Sequence, residues 1–146
     1  LKKKRPDLHL HDRSFRWSGA YSHKARRADA LLLRQWATDQ GLSGPDFFAH
    51  SHGGTVAHLA TQQGMQFDRL VLMGWPVHRK WYPDFSNVKR IIDVRVRLDL
   101  VVLLDGGGQR FRTRDFKIEE HRHGWFDHSS THEPAYWDDH GLWDVI

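Results

Sequence analysis

The chain contains no cysteine, which excludes a disulfide framework and thiolate chemistry and leaves the redox compartment open. Long apolar runs are missing too. The longest, Leu100 to Leu104, is far short of the roughly 20 residues that a membrane-crossing helix needs. The basic start, Leu1-Lys2-Lys3-Lys4-Arg5-Pro6, is not followed by the apolar segment of a signal peptide. The expectation is therefore a soluble protein, cytoplasmic by default, with no transmembrane segment. An initiator methionine is also lacking, so the chain is expected to be processed or part of a longer product. No internal repeat, linker or low-complexity tract interrupts it.

Charge excludes less. The net charge is +4 with histidine neutral, and a basic surface can attract nucleic acid. The cations are spread along the chain, however, with clusters only at Lys2–Arg5 and Lys24–Arg27. The interleaving of aromatic and basic residues used by single-strand binders is absent, so no nucleic acid is expected as a partner.

What is present fits one globular domain spanning residues 1–146. At 146 residues, with 39% hydrophobic and 27% charged positions and 7 tryptophans, the chain is long enough to bury a real core. Short extended pieces are read at Leu8–Leu10 and Ser14–Trp17. Lys24 to Gln40 reads as an amphipathic helix with Ala28, Leu31, Leu32, Leu33, Trp36 and Ala37 on its apolar side and Arg26, Arg27, Arg34 and Asp39 facing away. Phe47–Ala49 leads as a strand into a second helix from His52 to about Gln63, with Val56, Leu59 and Ala60 buried. Phe67 to Gly74 reads as a strand covered on both faces, and Val88 to Val96 as another. A turn and apolar segment at Leu98–Leu104, a last strand at Arg110–Glu119 and a helix or turn at Pro134–Asp138 follow. This alternation predicts an α/β sandwich with a mainly parallel sheet flanked by helices.

The stretch Ala49-His50-Ser51-His52-Gly53-Gly54 carries the chemistry. An apolar strand stops at a serine with small residues two before and two after it, and a helix begins at once. That context builds a strained turn that projects the serine hydroxyl from the tip of a sheet. The backbone N–H of His52 then falls at a helix N-terminus, where unpaired donors favour a developing oxyanion. A serine nucleophile needs a base and an orienting acid. Asp99, after the Val88–Val96 strand, and His128, later still, supply them in the order Ser, acid, His. Asp93 and Asp105 are alternatives for the acid, and His132 is the alternative base.

The elbow, the Leu98-Asp99-Leu100-Val101 segment and the late His128-Ser129 together resemble the lipase/esterase branch of the α/β-hydrolase superfamily, over roughly residues 10 to 137. The resemblance implies Ser51 as nucleophile, Asp99 as acid, His128 as base and the His52 N–H in the oxyanion hole, with no cofactor. Members of that fold carry an earlier strand ending in a His-Gly loop that supplies a second oxyanion donor. No His-Gly precedes Ser51, so the donor is expected near Trp17-Ser18-Gly19, or the chain is an N-terminally incomplete member.

The expected function is thus a serine hydrolase that cleaves a small-molecule or lipid carboxylic ester through an acyl-enzyme on Ser51. Trp17, Trp75, Trp81 and Trp125 are candidates for an acyl pocket, and the Gly74–Ser86 loop for a lid. A catalytically silent binding module of the same fold is the alternative. A histidine-based metal hydrolase is a third reading: His121, His123, His128 and His132, with Asp127 and Glu133, offer ligand types. Without cysteine or an H-E-x-x-H motif, hydrogen-bonded or solvated histidines are expected there, and no metal. Oligomeric state is left open.

Overall fold

The structure is a computed structural model and describes residues 15–113 and 117–146. The strand expected at Leu8–Leu10 and residue Ser14 lie outside these. Phe15 to Trp17 form no strand.

The first helix, α1 (His23–Asp39), is capped by the Ser22 hydroxyl, which accepts from the Ala25 N–H at 3.1 Å. Its buried face differs from the expected one. Arg26, Asp29, Ala30, Leu33 and Ala37 are inside, while Ala28, Leu31 and Leu32 face outward. Burial of the two charged residues has a physical cause. Asp29 accepts from the Ser18 hydroxyl at 2.6 Å and the Ser18 N–H at 3.2 Å, and the Arg26 guanidinium stacks on the rings of Tyr21 and Trp81. These contacts turn the helix so that the 26–30–33–37 row meets the core.

Then come β1 (Asp46–His50), α2 (Gly53–Thr61), β2 (Phe67–Met73), β3 (Val88–Arg95), α3 (Leu100–Leu104), β4 (Ile118–Arg122) and α4 (Pro134–Asp139). The four strands form one sheet in the order β1-β2-β3-β4, and every neighbouring pair is parallel. The α/β class with a parallel sheet is therefore as expected. The last strand begins at Ile118, in register with Ile91 of β3; of the expected Arg110–Glu119, residues 114–116 lie outside the described residues, and 110–113 and 117 form no strand. The expected apolar segment after Leu98 is the short helix α3, with Leu104 90% exposed. Among the described residues no helix is long and apolar enough to cross a membrane.

Two apolar clusters sandwich the sheet. On one face Leu33 and Ala37 of α1 and Val56, Leu59 and Ala60 of α2 pack on Leu70, Leu72 and Ile91. On the other, Val71, Ile92 and Val94 meet Tyr136, Trp137 and Leu142 from the C-terminal segment. The alternation along β2 and β3 assigns neighbouring residues to opposite faces, as strand geometry demands. Because all strands run the same way, the connections leaving their C-terminal ends share one edge of the sheet. That edge carries Ser51, Asp99 and His128.

Candidate active site

Ser51 follows β1 directly and has φ +50, the left-handed region that L side chains rarely adopt. It stays tied to the sheet, its N–H donating to the Met73 carbonyl at 2.8 Å. α2 starts two residues later, and its first bonds run from the Gly54 N–H to the Ser51 carbonyl and from the Val56 N–H to that of His52. The His52 N–H thus lies in the first helical turn, where N–H groups have no intrahelical acceptor. The tight position in this turn is not Gly53, whose added Cβ would sit 3.8 Å from the Ala49 Cβ, an ordinary contact. It is Gly54, where a Cβ would lie 2.7 Å from the Trp75 ring. That glycine lets α2 approach the sheet.

Asp99 and His128 meet. The His128 Nδ1–H donates to the Asp99 carboxylate at 2.6 Å, and both side chains are largely buried. Asp99 caps α3 with its other oxygen, which accepts the Val102 N–H at 3.0 Å. Burial pushes the carboxyl up, but the His128 hydrogen bond and the Val102 N–H outweigh it, and Asp99 titrates below the usual range. Fixing the proton on Nδ1 leaves Nε2 as the basic nitrogen.

Several supports were not visible in the sequence. Gln109 clamps the Asp99 backbone from both sides, accepting its N–H at 2.8 Å and donating to its carbonyl at 3.0 Å. The Gln109 carbonyl is in turn held at 2.9 Å by Arg95, which is locked in a buried ion pair with Asp93. Asp93 is therefore engaged by Arg95, while the carboxylate that meets His128 is that of Asp99. His128 is presented by a single 3-10 turn, His128–His132, which Asp127 caps through the Ser129 and Ser130 N–H groups. Phe126, just before it, has φ +66 and pairs with Asp99 in an isolated bridge, drawing the two loops together. No signal in the composition marks Gln109 or Phe126 for these tasks.

The alternative base, His132, contacts Glu133 at 3.6 Å. Its ring lies 4.3 Å from that of His50, which also packs 4.9 Å from the His128 ring. Burial, helped by the neighbouring His132 and His128, lowers His50 to about 4, so it stays neutral beside His128.

Asp105, the other alternative acid, bridges two histidines: His52 Nε2 at 3.2 Å and His78 Nε2 at 2.8 Å. Burial and then the nearby charge of Arg26 lower His52 to about 4, and burial lowers His78 as well. The His78 Nε2–H donates to Asp105, and the neutral His52 ring lies against the other carboxylate oxygen. The bridge ties the residue after Ser51 to the loop that leaves β2.

Of the four tryptophans, only Trp17 lines a cavity beside the elbow. It does so with Phe15, Phe47, His50, Gly53 and Val56, in a space of about 290 Å³. Trp75 and Trp81 are core residues, with indole N–H groups bonded to Thr55 and His23, and Trp125 is exposed under Arg97. The Gly74–Ser86 loop accordingly packs into the protein through both of its tryptophans. Near the expected second oxyanion donor, the Ser18 and Ala20 N–H groups are engaged, with Asp29 and with the Ser18 hydroxyl. Among the described residues no group of three or more His, Asp or Glu side chains is placed to hold a metal ion. No protein-family model, curated protein or solved structure matches the chain.

Proposed function

We propose that the protein is a serine hydrolase acting on carboxylic esters, of the α/β-hydrolase kind, with Ser51 as nucleophile, His128 as base and Asp99 as orienting acid. The observation that carries the reading is the 2.6 Å bond between Asp99 and His128. It joins residues 29 apart in sequence on the same sheet edge that displays Ser51. In this reading His128 Nε2 takes the Ser51 proton as the hydroxyl oxygen adds to the ester carbonyl. The His52 N–H stabilises the resulting oxyanion. The alcohol leaves with the proton from His128, and water, activated by the same imidazole, releases the acid from the acyl-enzyme. The aromatic cavity of Phe15 and Trp17 suits the acyl chain, since such pockets are mostly apolar.

Labelling by a fluorophosphonate probe tests the reading. The wild-type chain is expected to be labelled and the Ser51→Ala variant not. A folded wild type that resists labelling overturns it in favour of a binding module.

A further inference from the structure

Resting on that reading, we propose that the ester carries a phosphate on its alcohol part, seated in a basic pocket at His78, Arg79, Arg110 and Arg112. The pocket has a volume of about 220 Å³ and opens between the loop leaving β2 and the loop leaving α3. The two loops are joined as one wall. Val77 and Gly108 exchange backbone hydrogen bonds of 3.1 and 2.8 Å, and the Arg112 N–H donates to the Tyr82 hydroxyl at 2.8 Å.

Among the described residues, the charged side chains that line it are all basic. Among the described residues no carboxylate pairs with Arg79, Arg110 or Arg112, and Asp105, which does not line the pocket, is already engaged by His78 and His52. Behind the wall, Arg26 is 3% exposed, and among the described residues its Nε has no hydrogen-bond partner and its guanidinium stacks on the faces of Tyr21 and Trp81. The Trp81 ring lies 4.3 Å from that of His78. A buried guanidinium without a counter-ion is costly unless an anion comes near. Guanidinium forks match phosphate oxygens in pairs, and three of them exceed what one carboxylate would neutralise.

Position assigns the phosphate to the alcohol. The aromatic cavity reaches Ser51 through His50 and Gly53, whereas the basic pocket reaches it through His78, Asp105 and His52. The two share no lining residue. With the acyl chain in the first, the leaving alcohol falls toward the second. The reaction balances without a further reagent: water and the phosphorylated ester give a carboxylic acid and a phosphorylated alcohol, and the proton that His128 takes from Ser51 leaves on the alcohol.

The test compares the butyryl ester of glycerol phosphate with the butyryl ester of glycerol, on the wild type and on an Arg79→Ala, Arg110→Ala double variant. A wild-type preference for the phosphorylated ester of roughly tenfold or more in kcat/KM, carried by KM and collapsing in the double variant, is the expected result. Equal use of both esters, with a ratio the double variant does not change, overturns the phosphate assignment while leaving the hydrolase reading intact. Calorimetric titration with glycerol phosphate separates the two failures. Binding to wild type and not to the double variant supports the pocket even if fluorophosphonate labelling and turnover are absent; no binding overturns it. Turnover of the soluble ester identifies a free phosphorylated substrate. Turnover confined to phosphatidic acid in phosphatidylcholine vesicles identifies a lipid headgroup.

Discussion

Gly74 and His128 lie so close that a Cβ on the glycine would sit 3.0 Å from the imidazole Cε1 and 3.1 Å from Nδ1. Gly74 follows β2 with φ +61 and donates its N–H to the Val94 carbonyl at 2.9 Å, which ties the backbone there to β3. Gly74→Ala is expected to displace the ring from Asp99 and to lower kcat by about 100-fold, the size of effect that a small misplacement of a reacting group produces. KM should change little. Steady-state kinetics on a suitable ester, with circular dichroism to confirm the fold, checks this.

Asp99→Asn keeps the α3 cap, because an asparagine oxygen also accepts the Val102 N–H. It removes the charge that holds the imidazole proton on Nδ1. The expected loss in kcat is on the order of 10³- to 10⁴-fold, with the melting temperature nearly unchanged. A variant that keeps full turnover removes Asp99 from the mechanism.

Ser51 is held at φ +50, a conformation that costs an L residue about 1 kcal/mol and glycine almost nothing. Ser51→Gly should therefore gain up to about 1 kcal/mol in denaturant unfolding while losing all fluorophosphonate labelling. Opposite movement of stability and reactivity is the signature sought.

Acid should destabilise the protein through His58. The ring is fully buried in α2, with Nδ1–H donating to the Trp81 carbonyl at 3.1 Å and Nε2 unpartnered. Burial lowers it from 6.5 to about 3. Between those values the unfolded chain binds the proton and the folded one does not, so stability falls as pH drops below 6.5. The contribution of this one group is about 2 kcal/mol between pH 7.5 and pH 5. His58→Gln should flatten that slope in urea melts at the two pH values, whatever it does to stability at neutral pH.

The residues that could be read in advance are those whose role depends on near neighbours. The turn at Ser51 needs an apolar strand, a small residue on each side and a helix after it, all within about a dozen positions. Asp99 and His128 were accessible because parallel strands deliver their loops to one edge in chain order. Arg26 was misassigned to the outer face of α1, and the burial of Asp29 was not foreseen, because Tyr21, Trp81 and Ser18 decide both, and those contacts are tertiary. β4 was displaced for a similar reason. Ile118-Glu119-Glu120-His121-Arg122 has little apolar alternation and is a strand because it pairs with β3. The bridge from His52 through Asp105 to His78 gathers residues from three loops, and no short window contains more than one of them.

The cover on the second face of the sheet has a consequence for assembly. Val71, Ile92 and Val94 are sheltered by residues from Tyr136 onward, the last stretch of the described chain. The Trp137 indole also donates to the Thr131 carbonyl at 2.8 Å, inside the turn that starts at His128. During synthesis, then, the imidazole and the lining that shelters this face emerge together, after all four strands. The serine turn is thus complete before the His128 ring is anchored, and seating of Trp137 and placement of that ring are coupled through the Thr131 carbonyl.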